Sequence, residues 1–201
     1  MKKIGILGGT FNPPHNGHIH AARQAQMALG LDGIMFLPDN IPPHKELPAG
    51  SADTRQRLEM TRLAAQKIPG AEVSDIELRR GGRSYTVDTL TELTAAHPDT
   101  AYHFIMGTDM VLSLRRWYRP EEICRLCSLA VVARNDADRA AIAQAVQEYR
   151  AEWNAVISIV DCPALPMSST ELRSSREALA QMVPASVLAY IQKNRLYGWN
   201  E

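Results

Sequence analysis

Short apolar runs rich in β-branched residues alternate with helical stretches, and this alternation constrains the fold more than any other feature. The predicted strands span residues 3–8, 33–38, 71–76, 101–106, 128–133 and 155–160. The predicted helices span residues 17–29, 53–67, 87–96, 136–153 and 185–194. Strands separated by helices run parallel and are joined by right-handed crossovers. The sequence therefore predicts an α/β fold with a doubly wound parallel sheet, whose ligands bind at the carboxyl ends of the strands.

The length predicts one domain. A chain of 201 residues that is 45% hydrophobic can form a single core, because such cores keep growing to about 250 residues. We expect one domain over residues 1–201, with a small helical part from about residue 163.

Two loops are longer or stiffer than a connection between two elements requires. Residues 38–50 contain four prolines, and residues 78–84 contain Arg79, Arg80 and Arg83, which we interpret as solvated surface.

Charge and cysteine content exclude several classes of protein. The 22 basic and 22 acidic side chains give zero formal charge, so no net basic field would draw the chain to nucleic acid or to an anionic membrane. There is no apolar run of about 18 residues, and we expect a cytoplasmic protein without a signal peptide or a membrane span. Cys124 and Cys127 have CxxC spacing, but no second ligand pair completes a zinc site. We interpret both as small buried thiols.

The segment GGTFNPPHNGH, residues 8–18, lies where the first predicted strand ends and the first helix begins. Gly8 and Gly9 allow close backbone approach to a ligand, and the helix start offers N–H groups and a positive dipole end to phosphate. His15 and His18 are three residues apart, so both imidazoles can lie beside one anion. Contact with phosphate would raise the pKa of both imidazoles above about 6.5.

This loop differs from the two common phosphate-binding motifs. It lacks the Gly-Lys-Ser/Thr ending of the Walker loop, and its glycine spacing does not fit GxGxxG. A lysine-based phosphotransferase and an ordinary dinucleotide-binding protein are therefore disfavoured. The alternative to a phosphate-binding loop is a tight turn whose histidines lie on the surface. The combination of glycines, prolines and HxGH in one segment disfavours that interpretation.

Several further segments accompany this loop in the chain, and together they resemble a known family. They are PPHK (42–45), SYTVDTL (84–90), MGTD (106–109), Trp117, Arg134, SSTELR (168–173) and YIQKNRLYG (190–198). With them, the chain resembles the HxGH nucleotidyltransferases and is similar to the bacterial nicotinate-mononucleotide adenylyltransferases. The resemblance implies a Rossmann-like nucleotidyltransferase fold. It also implies transfer of AMP from ATP to the 5′-phosphate of nicotinate mononucleotide, with release of pyrophosphate, in NAD biosynthesis.

On the ATP side, the resemblance implies that three cationic or hydrogen-bonding groups are catalytic. His15 and His18 would stabilise the α-phosphate and the departing pyrophosphate, and Arg173 would hold the triphosphate from the opposite side. Asp109 would accept hydrogen bonds from ribose, although it could also cap a helix. The implied ATP-binding residues are Gly8, Gly9, Thr10, Phe11, Gly107, Asp109, Ser168, Ser169 and Thr170. Ser168 or Ser169 could also cap a helix. Mg²⁺ would arrive with ATP, with no metal ligands assigned to the protein.

On the acceptor side, Trp117 offers a face on which a cationic aromatic ring could stack, although a tryptophan without the family context is more often core. The resemblance places the nicotinate carboxylate at Thr86 and at backbone amides near Tyr85 and Tyr118. Lys45 and Arg134 would be cations on the phosphate side. Asn12, where the family frequently has Asp, completes the acceptor-binding set.

Several alternatives stay open at the level of sequence. They are a preference for nicotinamide mononucleotide, a phosphopantetheine acceptor, and a nucleotide sensor without catalysis. Carboxylate selectivity depends on how donors are paired, which the sequence does not specify. The expected partners are ATP and nicotinate mononucleotide, without nucleic acid or membrane, and the sequence leaves a homo-oligomer open.

Overall fold

The computed structural model describes residues 1–43, 46–133, 135–162 and 175–199. Its strands form one six-stranded sheet of order β3-β2-β1-β4-β5-β6. The strands are β1 (Lys2–Gly9), β2 (Gly33–Pro38), β3 (Glu72–Val73), β4 (Thr100–Gly107), β5 (Ser128–Ala133) and β6 (Ile157–Asp161). β2 and β3 are added on one side of β1, and β4, β5 and β6 are added on its other side. The strand order therefore reverses beside β1. The predicted doubly wound sheet is confirmed.

The parallel pairing of the strands places their carboxyl ends at the same edge of the sheet. β1 pairs in parallel with β4 through Ile4↔Tyr102 and Leu7↔Ile105, and the pairs β4/β5 and β5/β6 are also parallel. β5 is buried along most of its length, from Leu129 to Ala133, because an interior parallel strand is covered on both faces. Gly5 allows close packing beside β1, since a Cβ there would lie 2.7 Å from Leu31 Cδ1 and 2.8 Å from Ile34 Cδ1.

Helices of three to eighteen residues connect these strands or follow the last of them. They are α1 (Asn16–Leu29), α2 (Thr54–Ala65), α3 (Ile76–Arg80), α4 (Thr86–Ala96), α5 (Thr108–Ser113), the 3₁₀ turn Leu114–Arg116, α6 (Pro120–Leu126), α7 (Asp136–Trp153), α8 (Arg176–Met182) and α9 (Ala185–Lys193). Asp53 and Gln56 form a capping box at the start of α2, with hydrogen bonds of 2.7 and 2.9 Å. Asn135 caps α7 by accepting from the backbone N–H of Asp138.

The chain divides into two compact units. The first comprises Met1–Leu7, Ala21–Met35 and Tyr85–Ala164, and its core includes Ile6, Phe104 and Leu129. The second comprises Gly8–His20, Phe36–Ser84 and Leu165–Glu201. Within it, α9 packs against α2, and its core includes Phe36, Met60 and Ile191. A single domain over residues 1–201 with a helical part from about residue 163 stays a prediction, and α8 and α9 are the helices described after that point.

Two local predictions were wrong. The strand predicted at 71–76 is only Glu72–Val73, and Ile76 begins α3. β3 is an edge strand with one neighbour, so fewer backbone hydrogen bonds favour its extension. The loop predicted at 78–84 begins only after Arg80, because α3 continues to that residue. The helix ends at Gly81, whose φ is +72°. The helix start predicted at Ser168 or Ser169 lies outside the described residues.

The thiols of Cys124, Cys127 and Cys162 are free and buried, as predicted for Cys124 and Cys127. Burial raises the pKa of Cys124 to about 11 and that of Cys127 to about 12. A thiol held in its protonated form is a poor nucleophile, which disfavours redox chemistry at this CxxC spacing. None of the helices in the described part of the chain has the length and apolar character needed to span a membrane.

Candidate active site

The loop between β1 and α1 carries the predicted histidine motif, within the second unit. β1 ends at Gly9 and α1 begins at Asn16, so the motif occupies the carboxyl end of a strand and the start of a helix, as predicted. Phe11 is 2% exposed and has a φ of +47°, a left-handed conformation uncommon outside glycine. A Cβ on Gly9 would lie 3.4 Å from the Phe11 ring, so this glycine permits close packing of the loop on itself.

His15 and His18 form a close pair at the start of α1. Their ring centroids are 3.7 Å apart and their planes are inclined by 31°. The backbone N–H of His15 donates to Nδ1 of His18 at 3.1 Å, and the backbone N–H of His18 donates to the His15 carbonyl at 2.9 Å. His18 thus takes the position that Glu or Gln takes in a capping box. Because Nδ1 of His18 accepts, its ring proton lies on Nε2.

His15 is held in a buried, confined position. It is 7% exposed, and burial lowers its pKa to about 4. The free protein therefore carries a neutral His15 at pH 7, whereas contact with phosphate was expected to favour the cation. Among the described residues, Nδ1 of His15 has no hydrogen-bond partner. A Cβ on Gly17 would lie 2.9 Å from both Cε1 and Nδ1 of His15, which explains the glycine between the two histidines.

A phenylalanine supports the second imidazole. Phe11 meets His18 edge to face, with ring centroids 5.0 Å apart and an interplanar angle of 77°. Phe11 also contacts Phe36 of the buried core at a centroid distance of 5.8 Å. The left-handed backbone at Phe11 therefore directs its ring between the core and His18.

A buried ion pair that the sequence did not predict supports the same loop. Arg57 of α2 is 0% exposed, and its guanidinium donates to the Thr10 carbonyl at 2.8 Å, to Asp39 Oδ1 at 3.0 Å and to the Asn40 carbonyl at 3.0 Å. The Thr10 hydroxyl donates to Asp39 Oδ2 at 2.7 Å, and the Asp39 backbone N–H donates to the Gly9 carbonyl at 3.0 Å. This network fixes the backbone at residues 9 and 10. The position of Asp39 after β2 was its only signal in the sequence.

Asn12 joins three segments of the second unit. Its Oδ1 accepts from the Ala52 backbone N–H at 3.3 Å and from the Tyr197 hydroxyl at 2.6 Å, and its Nδ2 donates to Ser51 Oγ at 2.8 Å. The residue is 2% exposed. The side chain that was assigned to the acceptor is thus engaged with its own chain.

The predicted residues on β4, α4 and α5 belong to the first unit. Gly107 ends β4 at its carboxyl end, and the exposed Asp109 lies in the first turn of α5, where no side chain caps the helix. An acidic residue there also interacts favourably with the helix dipole.

The three aromatic residues predicted for the acceptor site each contact another aromatic ring of the first unit. The rings of Tyr85 and Tyr118 are 4.9 Å apart, and Thr86, the next residue after Tyr85, begins α4. Trp117 is partly exposed, packs edge to face on Phe104 at 6.1 Å, and donates from Nε1 to Ser113 Oγ at 3.3 Å. Because its indole packs on the buried Phe104, Trp117 contributes to core packing whether or not it also binds a ligand.

Six predicted site residues lie outside the described residues, and nothing structural is assigned to them. They are Lys45, Arg134, Ser168, Ser169, Thr170 and Arg173. Over residues 1–43, 46–133, 135–162 and 175–199, no group of three or more His, Cys, Asp or Glu side chains is arranged to hold a metal ion.

Comparison with known proteins gives matches along nearly the entire chain. Residues 6–175 match the cytidylyltransferase-like family. The chain is 42% identical over 200 residues to a probable nicotinate-nucleotide adenylyltransferase of Synechococcus sp. (strain JA-3-3Ab), covering 98% of this chain and 95% of that protein. It is 39% identical over 202 residues to a protein of the same description from Oceanobacillus iheyensis, covering 99% and 98%.

A solved structure shares the fold. The Plasmodium falciparum nicotinic acid mononucleotide adenylyltransferase complexed with NaAD superposes with a TM-score of 0.76 and 17% identity, covering 100% of this chain and 99% of that chain. At that identity the likeness shows the fold alone. It agrees with the strand order and with the parallel pairing of β1, β4, β5 and β6.

Proposed function

The chain belongs to the cytidylyltransferase-like family and, within it, to the nicotinate-nucleotide adenylyltransferases, and we propose that it transfers AMP from ATP to nicotinate mononucleotide. The products are nicotinate adenine dinucleotide and pyrophosphate, in NAD biosynthesis. The observation that carries the proposal is the close pair of imidazoles of His15 and His18, with ring centroids 3.7 Å apart, at the start of the helix that follows a strand ending in glycine.

The reaction needs positioned donors more than a strong base. An oxygen of the acceptor 5′-phosphate forms a bond to the α-phosphorus of ATP, and the bond from that phosphorus to the bridging oxygen of the β-phosphate breaks. The attacking monoester has a second pKa near 6, so it is largely deprotonated at pH 7. Charge that develops on the α-phosphate and on the leaving oxygen must then be met by fixed donors.

The structure suggests how each histidine takes part. Nε2 of His18 is the ring atom that carries its proton, because Nδ1 accepts from the His15 backbone. His15 is neutral in the free protein. Phosphate oxygens beside it would favour its protonation, since an adjacent anion stabilises the imidazolium. His15 and His18 therefore stabilise the α-phosphate and the departing pyrophosphate.

The remaining ATP contacts follow the motifs. We assign the phosphates to the loop residues Gly8, Gly9, Thr10 and Phe11, and the ribose to Asp109 after Gly107. Ser168, Ser169, Thr170 and Arg173 would hold the triphosphate. Mg²⁺ would enter on the ATP phosphates, where it offsets their charge, without a dedicated set of protein ligands.

The acceptor assignment rests on the family motifs and on the aromatic residues of the first unit. Trp117 would stack on the pyridine ring, and Thr86 with the backbone near Tyr85 and Tyr118 would receive the carboxylate. Lys45, Arg134 and the backbone at Asn12 complete the set, since the Asn12 side chain is hydrogen-bonded within the protein. A cytoplasmic location suits three reduced, buried thiols, and a homo-oligomer stays a prediction.

Pyrophosphate release from Mg²⁺–ATP tests the proposal. Three acceptors are compared in parallel at equal concentration, namely nicotinate mononucleotide, nicotinamide mononucleotide and phosphopantetheine. We expect release with nicotinate mononucleotide at the highest kcat/KM. A higher value with either other acceptor would reassign the substrate, and binding of ATP without release with any acceptor would indicate a sensor.

A further inference from the structure

The chain folds back after α9 into a turn that is anchored at several points. α9 ends at Lys193, and the backbone N–H of Leu196 donates to the Ile191 carbonyl at 3.0 Å. Leu196 is buried, with 9% exposure. The Arg176 guanidinium donates to the Gly198 carbonyl at 2.7 Å. Residues 194–199 therefore form a fixed turn of the second unit, which we call the C-terminal turn.

Two residues of this turn have an unfavourable backbone conformation. Arg195 and Tyr197 have φ values of +52° and +55°, and a left-handed residue other than glycine costs on the order of 1 kcal/mol. Such conformations persist only where surrounding contacts determine them, and they cluster at functional positions. At Tyr197, one such contact is a hydrogen bond made by its side chain.

That hydrogen bond reaches the loop between β1 and α1, residues 10–15, which we call the histidine loop. The Tyr197 hydroxyl donates to Asn12 Oδ1 at 2.6 Å across 185 positions of sequence. The same Oδ1 accepts from the Ala52 backbone N–H, and Nδ2 donates to Ser51 Oγ. Asn12 lies one residue after the left-handed Phe11 and three residues before His15. The C-terminal turn is thus hydrogen-bonded to the short segment that determines where the imidazoles lie.

We propose that Tyr197 is a positioning residue: through the Asn12 carboxamide its hydroxyl holds the loop from Phe11 to His15, and with it both imidazoles. The role of these imidazoles rests on the proposed function. Asn12 acts here as the buried junction between the loop and the C-terminal turn. The histidines meet charge that develops in the transition state, so a displaced loop lowers kcat more than it weakens ground-state binding.

Tyr197→Phe tests this by removing only the hydroxyl. Tyr190→Phe is the matched control, because it removes the same atom from the preceding helix of the same unit. We expect kcat of Tyr197→Phe to fall about threefold to tenfold, on the scale of one lost hydrogen bond, with the KM of each substrate within about twofold of wild type. Tyr190→Phe is expected to match wild type. Circular dichroism and urea titration establish that every variant is folded under the assay conditions.

A double-mutant cycle separates coupling from an independent effect. If Tyr197 acts through Asn12, Asn12→Ala combined with Tyr197→Phe has the kcat of Asn12→Ala alone. Multiplicative losses, an equal loss in Tyr190→Phe, or an unchanged kcat in Tyr197→Phe would overturn the proposal.

The imidazole signals of His15 and His18 in ¹H–¹⁵N spectra give a readout that does not depend on turnover. We expect both signals to shift in Tyr197→Phe and to stay in place in Tyr190→Phe. Unchanged signals in Tyr197→Phe would reject the positioning role even if the wild type had no adenylyltransferase activity. A wild type without that activity but with shifted signals would reject the proposed function and retain the positioning role.

Discussion

The backbone N–H of His15 donates to Nδ1 of His18 at 3.1 Å, so the second motif histidine accepts at one ring nitrogen and carries its proton on the other. The two residues also lie at the start of α1, where the His15 carbonyl accepts from the backbone N–H of His18. His18 therefore has a structural role in capping the helix and a chemical role at Nε2, and suitable substitutions separate the two.

His18→Ala removes both roles and His18→Asn removes one. The Asn Oδ1 can take the place of Nδ1 and accept from His15, but nothing replaces the Nε2 donor. We expect kcat to fall about 10²–10³-fold in both variants, as for loss of one transition-state donor, with little change in nucleotide affinity. Urea unfolding is expected to show a loss of about 1 kcal/mol in His18→Ala only. Unchanged steady-state turnover in His18→Ala would refute the catalytic role.

Gly17→Ala tests the space beside His15. Alanine favours a helix by up to about 1 kcal/mol over glycine, yet its Cβ would lie 2.9 Å from the His15 ring. We expect kcat to fall at least about tenfold while the melting temperature changes little. Met27→Ala, at a position on α1 that is 69% exposed, is the control and is expected to retain wild-type kcat. Full activity in Gly17→Ala would show that the ring can move without consequence.

Arg57→Met tests the buried ion pair under the loop. Removing one partner leaves Asp39 without its cation, which is expected to cost about 3–5 kcal/mol of unfolding free energy. Adding Asp39→Asn should recover part of that loss, because no buried charge then remains. Arg62→Met, on the same helix and in an exposed pair with Glu59, should cost about 0–1 kcal/mol. Equal losses in urea titrations of Arg57→Met and Arg62→Met would contradict a supporting role for the network.

The buried His15 predicts a dependence of stability on pH. Burial lowers its pKa from 6.5 to about 4 in the folded protein, so the unfolded chain binds this proton more readily. Stability from this residue is present above pH 6.5 and is lost as pH falls toward 4. For His15 alone, we expect a loss of roughly 2 kcal/mol between pH 7 and pH 5. The test is the difference between wild type and His15→Gln in urea titrations at both pH values, and parallel losses in the two proteins would show that His15 is not the source.

Trp117→Ala tests the acceptor assignment. Stacking on the pyridine ring is ground-state binding, so we expect the KM for nicotinate mononucleotide to rise about tenfold while the KM for ATP stays within about twofold. Trp117→Phe is the control for lost packing on Phe104 and should raise the acceptor KM less. An equal rise in both KM values would count against stacking.

Local patterns predicted most of the fold. Periodicity placed strands 33–38 and 128–133 and helix 136–153 at their observed limits, because these elements follow from the apolar spacing of contiguous residues. The strand at 71–76 failed because pairing at a sheet edge, rather than composition, limits its length. The histidine loop was also predictable, since all its chemistry lies within eleven consecutive residues.

The supporting residues of that loop were not predictable. Asp39, Arg57 and Tyr197 reach Thr10 or Asn12 from 29, 47 and 185 positions away. An arginine in a polar helix and a tyrosine near the chain end have no local signal that distinguishes them from surface residues.

The sequence by itself determined the alternation of strands and helices, the glycines at the end of β1, and the spacing that places two imidazoles at one helix start. Only the tertiary structure decided that His15 is neutral, that Arg57 is buried beneath the loop, and that the C-terminal turn is hydrogen-bonded to Asn12. The physical reason is that spacing acts through neighbouring residues, whereas desolvation and hydrogen-bond partners depend on which distant segments meet.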